Sequence, residues 1–203
     1  ARTREALSTV ALLASYSAVL EAMCNRFDAA REKAARGTAL LEDLDRRVTA
    51  AGSGYFAARV ELLADEPVRA EAIARPALDT LEQAHRLAPR NVPVTVRYGE
   101  ALLQAGRPKR AHEVLLDLFN NVPPSQEQIR LTAMAANAAG DVADAYSYMA
   151  EYHIMGGDLP LAINQLELAL SVPNLTPVQR SKFAARLKEL REAATRVGAG
   201  DTA

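Results

Sequence analysis

The chain has 203 residues, 49% of them hydrophobic but only 5% aromatic and none Trp; its 24 Lys and Arg nearly balance 25 Asp and Glu. That length supports a sizeable core in one or two domains, and the near-neutral charge excludes a nucleic-acid or anionic-membrane surface driven by net charge. A single cysteine, Cys24, excludes an intrachain disulfide, and three scattered histidines give no metal constellation.

Gly and Pro punctuate the chain at short intervals, with apolar residues at three- and four-residue spacing between them. The pattern predicts ten helices, over 3–23, 27–43, 46–64, 67–87, 92–105, 108–121, 126–139, 142–155, 159–172 and 177–195. No apolar run reads as a membrane span and no signal peptide is read at the start, so no membrane is expected. Pro67 opens the fourth helix, and Pro76 inside it is expected to remove one hydrogen bond and kink it near 72–76. Ser125 with Gln128, and Thr176 with Gln179, read as capping boxes. Pro177 suits a first helical position, and Asp141 and Asp158 read as N-caps after Gly140 and Gly157. Helices this long on short loops must be antiparallel neighbours. The end, "VGAGDTA" at 197–203, reads as a disordered tail.

From residue 77 on, the helices repeat every 34 residues. Ala77, Ala111 and Ala145 keep that spacing, as do Leu81, Leu115 and Met149, Pro89 and Pro123, and Gly106 and Gly140. Before residue 77 the period is about 40, with Phe27, Ala30 and Ala34 aligning with Pro67, Ala70 and Ala74. Small residues at such spacing let two helices cross closely while Leu102 and Leu115 fill the space beside the crossing.

The unit "NVPVTVRYGEALLQAGRPKRAHEVLLDLFNNVPP" resembles a tetratricopeptide repeat, with Gly99 and Ala111 at its small crossing positions and Pro123 at its end. The resemblance implies an all-α, right-handed solenoid of helical hairpins. Residues 84–194, through "GDVADAYSYMAEYHIMGGDLPLAINQLELAL" and "QRSKFAARLKELRE", resemble the C-terminal repeat region of bacterial periplasmic zinc metalloproteases of the β-barrel assembly-enhancing type. Residues 6–82, through "RFDAAREKAARGTALLEDL" and "VELLADEPVRAEAIARPALDTLE", resemble the longer repeats attached to ATPase or cyclase modules in bacterial signalling regulators. The first resemblance implies a periplasmic origin and the second a cytoplasmic one, so the compartment stays open. The expected organisation is 1–82 at the longer period, 83–196 at the shorter with a C-terminal capping helix, and one continuous stack. The change of period and resemblance at 77–84 also suits an engineered chimera of two repeat fragments joined through the helix at 67–87, with no biological ligand, and the resemblance of 84–194 suits the accessory repeat domain of a periplasmic metalloprotease.

The metalloproteases carry their zinc on an H-E-x-x-H helix. Here "HEVLL" at 112–116 starts that pattern with His112 and Glu113 but has Leu116 at the second ligand, so a structural role and no catalysis is expected. His85 is expected in solvent, and His153 packed or at the surface. No phosphate-binding loop, nucleophile elbow or paired-acid arrangement occurs, and no cofactor or metal is expected.

The family resemblance places peptide binding on the concave faces of the first helices. By that register the groove residues are Val96, Glu100 and Gln104, then Arg130, Met134 and Asn137, then Tyr148, Glu151 and Met155. Tyr148 and Met155 suit either helix packing or a groove anchor. Only Arg130 and Asn137 resemble the carboxylate clamp of chaperone-binding repeats, so no clamp is assigned. The expected partner of this monomer is a protein or peptide.

Overall fold

The computed structural model describes residues 2–200. Among them the chain is all-α, with ten helices and no strand. They are α1 (Arg2–Met23), α2 (Phe27–Asp43), α3 (Arg47–Leu63), α4 (Pro67–Leu87), α5 (Val92–Gln104), α6 (Pro108–Phe119), α7 (Gln126–Ala139), α8 (Val142–Met155), α9 (Leu159–Ser171) and α10 (Pro177–Gly200). Each matches an expected helix, with ends shifted by at most two residues except at α10. That helix continues to Gly200, and the rest of the expected tail, 201–203, lies outside the described residues.

The chain divides into two compact units, Ala1–Gly106 and Arg107–Ala203. In the first, α1–α2 and α3–α4 form successive hairpins and α5 packs on α3 and α4. Each hairpin turn places one residue in the left-handed region: Asn25 (φ 61°), Asp45 (φ 55°) and Asp65 (φ 59°). The next amide reaches back to a carbonyl of the previous helix in each case, Arg26 to Glu21, Arg46 to Leu41 and Glu66 to Glu61, all at 2.9 Å. These bonds satisfy carbonyls that a helix end leaves open. Asn and Asp tolerate this conformation best after Gly.

The interior of this unit is built largely from small side chains. Ala18, Ala22, Ala30 and Ala34 surround Val60, while Ala11 and Ala50 pack with Leu41. A Cβ on Gly37 would lie 2.8 Å from the Ala11 carbonyl oxygen and 2.7 Å from Ser15 Oγ, so α1 and α2 cross there without room for a methyl. A Cβ on Gly54 would lie 3.2 Å from Ala77 Cβ, which identifies Ala77 as the point where α4 crosses α3. Ala70, on the same helix, is also buried.

Helix α4 is continuous through Pro76. The proline removes a donor to the carbonyl four residues earlier, Ala72, but both residues lie on the exposed side, where water replaces the bond. The Thr80 hydroxyl donates to the Pro76 carbonyl at 2.9 Å.

The expectation that no segment is long and apolar enough to cross a membrane is corrected by α1. Thr3–Met23 meets that test by length and composition, with mean hydropathy 1.5 in its best window, 28% of which is buried. Serines and threonines interrupt its apolar residues, which hides the run, yet no charge occurs between Glu5 and Glu21.

In the second unit, α7 packs on α6 and α8, and α9 on α8 and α10. Its turns use Gly140 (φ 92°) and Gly157 (φ 79°). The capping boxes at Ser125 and Thr176 are present. Asp158 caps α9 by accepting from the Leu161 amide at 3.1 Å, whereas Asp141 makes no such bond at the start of α8. The core joins Phe183, Leu187 and Leu190 of α10 to Leu166 and alanines of α8 and α9.

Candidate functional site

In the first unit the odd-numbered helices bring together residues that no local pattern connects. Tyr16 of α1 meets Phe56 of α3 at 4.6 Å between ring centroids, with rings tilted 58°. Arg97 of α5 comes near Tyr16 and pairs with Glu100 at 2.7 Å. Gly52 leaves space beside Arg97: an added Cβ would lie 3.7 Å from its Cδ. Burial opposes the Arg97 charge, but Glu100 and Tyr16 outweigh it and hold the guanidinium more firmly protonated than usual. Arg59, one turn along from Phe56, is exposed. Three helices therefore present two aromatic rings, a guanidinium and a carboxylate on one surface. Of these residues sequence reasoning placed only Glu100 in a groove. Tyr16 and Phe56 escaped it because the 34-residue register does not extend to α1 and α3; Arg97 lies within that register on α5, but its neighbour Tyr16 does not.

Val96 is partly buried and Gln104 exposed on α5. In the second unit, Arg130, Met134 and Asn137 share one exposed face of α7 at four- and three-residue spacing. Arg130 pairs with Glu127 at 2.9 Å and donates to Met134 Sδ at 3.6 Å. The same positions 34 residues on are Asn164, Leu168 and Ser171 of α9, all exposed or nearly so; Leu168 is 37% exposed.

The α8 residues lie elsewhere. Buried Ala145 repeats Ala77 and Ala111, which makes α8 a second helix of its hairpin rather than a first. Tyr148 turns toward α6, its hydroxyl 3.3 Å from His112 Nε2. Glu151 turns toward α10, where Arg186 grips both its oxygens at 2.8 and 2.9 Å. Met155 is 53% exposed at the end of α8. Tyr148, Glu151 and the α7 face therefore do not converge.

His112 explains why Asp141 is not a cap. The imidazole is buried, and its Nδ1 lies 3.0 Å from Asp141 Oδ2 while Nε2 faces Tyr148. An Nδ1–H that donates to Asp141 leaves Nε2 to accept from the Tyr148 hydroxyl. Burial, then Asp144 and Asp141, push the Tyr148 phenol up to about 12. The bonds from His112 tie α6 to the start and middle of α8, a structural role for the histidine of "HEVLL". His85 is not simply solvated: its Nδ1 lies 3.1 Å from Thr95 Oγ1 and its ring stacks on Tyr98 at 5.1 Å. His153 is partly buried, edge-on to Tyr152. Among the described residues, no three His, Cys, Asp or Glu side chains group to hold a metal ion.

Residues 74–136 match the family model of the tetratricopeptide repeat. No curated protein matches the chain. Residues 74–136 thus carry tetratricopeptide-repeat sequence within an all-α helical-hairpin architecture, and repeats of this type generally serve as scaffolds for protein interaction.

Proposed function

We propose that this tetratricopeptide-repeat chain is a non-catalytic scaffold that holds a protein segment or peptide against the exposed faces of its odd-numbered helices. The observation that carries this reading is the surface formed by Tyr16, Phe56, Arg97 and Glu100. An apolar side chain fits against the rings, and an acidic or amide group fits the Arg97–Glu100 pair. In the second unit the α7 face, with Arg130, Met134 and Asn137, offers a separate strip of cation, thioether and amide. Binding to a peptide array, measured for the native chain, Tyr16→Ala with Arg97→Glu, and Arg130→Glu with Asn137→Ala, tests both surfaces. We expect each pair to weaken binding at least tenfold for peptides that use its surface. An array without a binder, or binding indifferent to both pairs, overturns the reading. Zinc-dependent proteolysis by this chain alone overturns the non-catalytic part.

A second reading is favoured by α4. One uninterrupted helix buries both Ala70, the crossing residue of the 40-residue register, and Ala77, that of the 34-residue register. An engineered chimera of two repeat fragments joined through this helix, with no biological ligand, accounts for both marks. Separate alignment of each half decides: both halves aligning end to end with one natural protein rule the fusion out.

A further inference from the structure

Helix α1 exposes Val10 (55%), Leu13 (62%) and Leu20 (63%), with Leu7 and Met23 continuing the stripe toward its ends. No charge falls between Glu5 and Glu21. The 40-residue period says what this face is for. Forty residues on, the equivalents of Val10, Leu13 and Leu20 are Ala50, Ser53 and Val60 of α3, exposed by only 5%, 1% and 1%. They are buried because α3 lies on the α1–α2 hairpin. Val60 packs on Ala18 and Ala22 of α1 and on Ala30 and Ala34 of α2, Ala50 packs on Ala11 and Leu41, and Ser53 bonds to Ser15. The equivalence extends along the helix: buried Ala11 and Ala18 map onto buried Ala51 and Ala58, and Tyr16 maps onto Phe56, its own ring partner. Asn25 and Asp65 occupy the same left-handed turn position.

We propose that the exposed face of α1 is a docking surface for a further helical hairpin of the same repeat type, seated as α1–α2 is seated under α3. The hairpin must present small, uncharged residues from two helices, as Ala18, Ala22, Ala30 and Ala34 do for Val60. Its seat must be roomier than that of α1–α2, because Leu13 and Leu20 replace Ser53 and Val60. No cation is required at its edge. Glu61 takes Arg31 from the neighbouring hairpin, whereas the equivalent Glu21 is already held by Arg26 and Lys33 of its own hairpin. A second α1 covers the stripe with one helix where the equivalent face of α3 is covered by two. A bilayer suits it less, since a helix lying at an interface carries Lys or Arg on its polar side; between Glu5 and Glu21 the polar residues beside this stripe are uncharged, Thr9 and Ser17 among them. Nor can α1 cross a membrane while Ala11, Ser15, Ala18 and Ala22 remain buried against α2 and α3.

The test duplicates residues 7–46 in tandem within the full chain, so that the copy's Arg46 leads into Leu7 as the native Arg46 leads into Arg47. The copy carries Ser15→Gly to admit Leu13 of the receiving helix, and Leu13→Glu with Leu20→Glu to keep its own outer face polar. Hydrogen exchange at residues 10–20 of the receiving α1 should slow by at least about tenfold relative to the native chain, the scale expected when local opening must also break a docked interface. Leu13→Glu with Leu20→Glu in the receiving helix should restore the native rate. In the native chain that same pair should leave the melting temperature unchanged, because the face covers nothing there. Unchanged exchange in the tandem chain overturns the proposal, as does a fall in melting temperature for the native-chain pair comparable to that of Val60→Glu. A dimer in sedimentation that Leu13→Glu dissociates gives the face to a second copy, and flotation with phosphatidylcholine–phosphatidylglycerol vesicles gives it to lipid; either also overturns it.

Discussion

The buried side chains of the first two hairpins are mostly alanine, whereas the end of the chain is organised around Phe183, Leu166, Leu187 and Leu190. The helices differ in parallel: α1 to α4 have 17 to 22 residues, α5 to α9 only 12 to 14. Long helices that cross at Gly37, Gly54 and Ala77 gain dispersion contacts along their length without large side chains. The short helices α8 and α9 meet over fewer turns, and the longer α10 fills the space against them with Phe183, Leu187 and Leu190. The turns differ less sharply: Asn25, Asp45 and Asp65 take the left-handed position first and Gly106, Gly140 and Gly157 later, but Asn174 takes it again before α10. Close approach of backbones and filling by side chains are thus two routes to the same hairpin stack, and each is vulnerable to a different kind of substitution.

Truncation should damage the second unit most. Phe183→Ala removes a fully buried ring and should cost about 3–5 kcal/mol in urea denaturation. Enlargement should damage the crossings. Gly37→Ala forces its methyl against the Ala11 carbonyl oxygen, and the expected loss of about 1–3 kcal/mol outweighs alanine's helix preference. Ala111→Leu and Ala145→Leu should cost a similar amount, measured in the same way, at the shorter period.

Tyr148→Phe should cost about 1 kcal/mol by leaving His112 Nε2 without its hydroxyl partner. It should also change the alkaline limb. The folded phenol is raised to about 12 against an ordinary value near 10, so its contribution is present below about pH 10 and is lost as pH rises toward 12. Thermal melts across that range should show a shallower decline for Tyr148→Phe than for the native chain.

The first unit has the opposite dependence at Glu61. Hydrogen bonds from Arg31 hold its carboxyl below the usual carboxylate range, although desolvation works the other way. That contribution is present above the unfolded value and is lost as pH falls through the lowered folded one. Arg31→Ala should therefore narrow the difference in melting temperature between neutral and acid pH. The smallest effects belong to the turns: Gly140→Ala should lose about 0.5–1 kcal/mol, and Asp65→Gly should change stability by less than that, both in urea denaturation.

The helices were legible because their signals are local. Pro67 and Pro177 at first turns, Ser125 with Gln128, and Thr176 with Gln179 act within four residues, and the structure has each at its expected place. The burial of Ala77, Ala111 and Ala145 was legible as a period, since a helix that repeats must bury the same face. Asp141 marks the limit of that reasoning. By type and position it suits a cap, but a buried imidazole 29 residues away competes for its carboxylate. The binding residues were less legible: Arg130, Met134 and Asn137 share a face through helical spacing alone, whereas Tyr148 and Glu151 are claimed by His112 and Arg186.

By itself the sequence determined the number of helices and, α10 apart, their bounds to within two residues, because capping and helical amphipathicity are properties of neighbouring residues. Only the tertiary structure decided what meets across helices: Tyr16 with Phe56 and Arg97, His112 between Asp141 and Tyr148, and the uncovered face of α1. Those meetings depend on the angle and depth at which helices cross. Gly37 and Gly54 set these by leaving space for a neighbour, and that space cannot be assigned until the neighbour is in place.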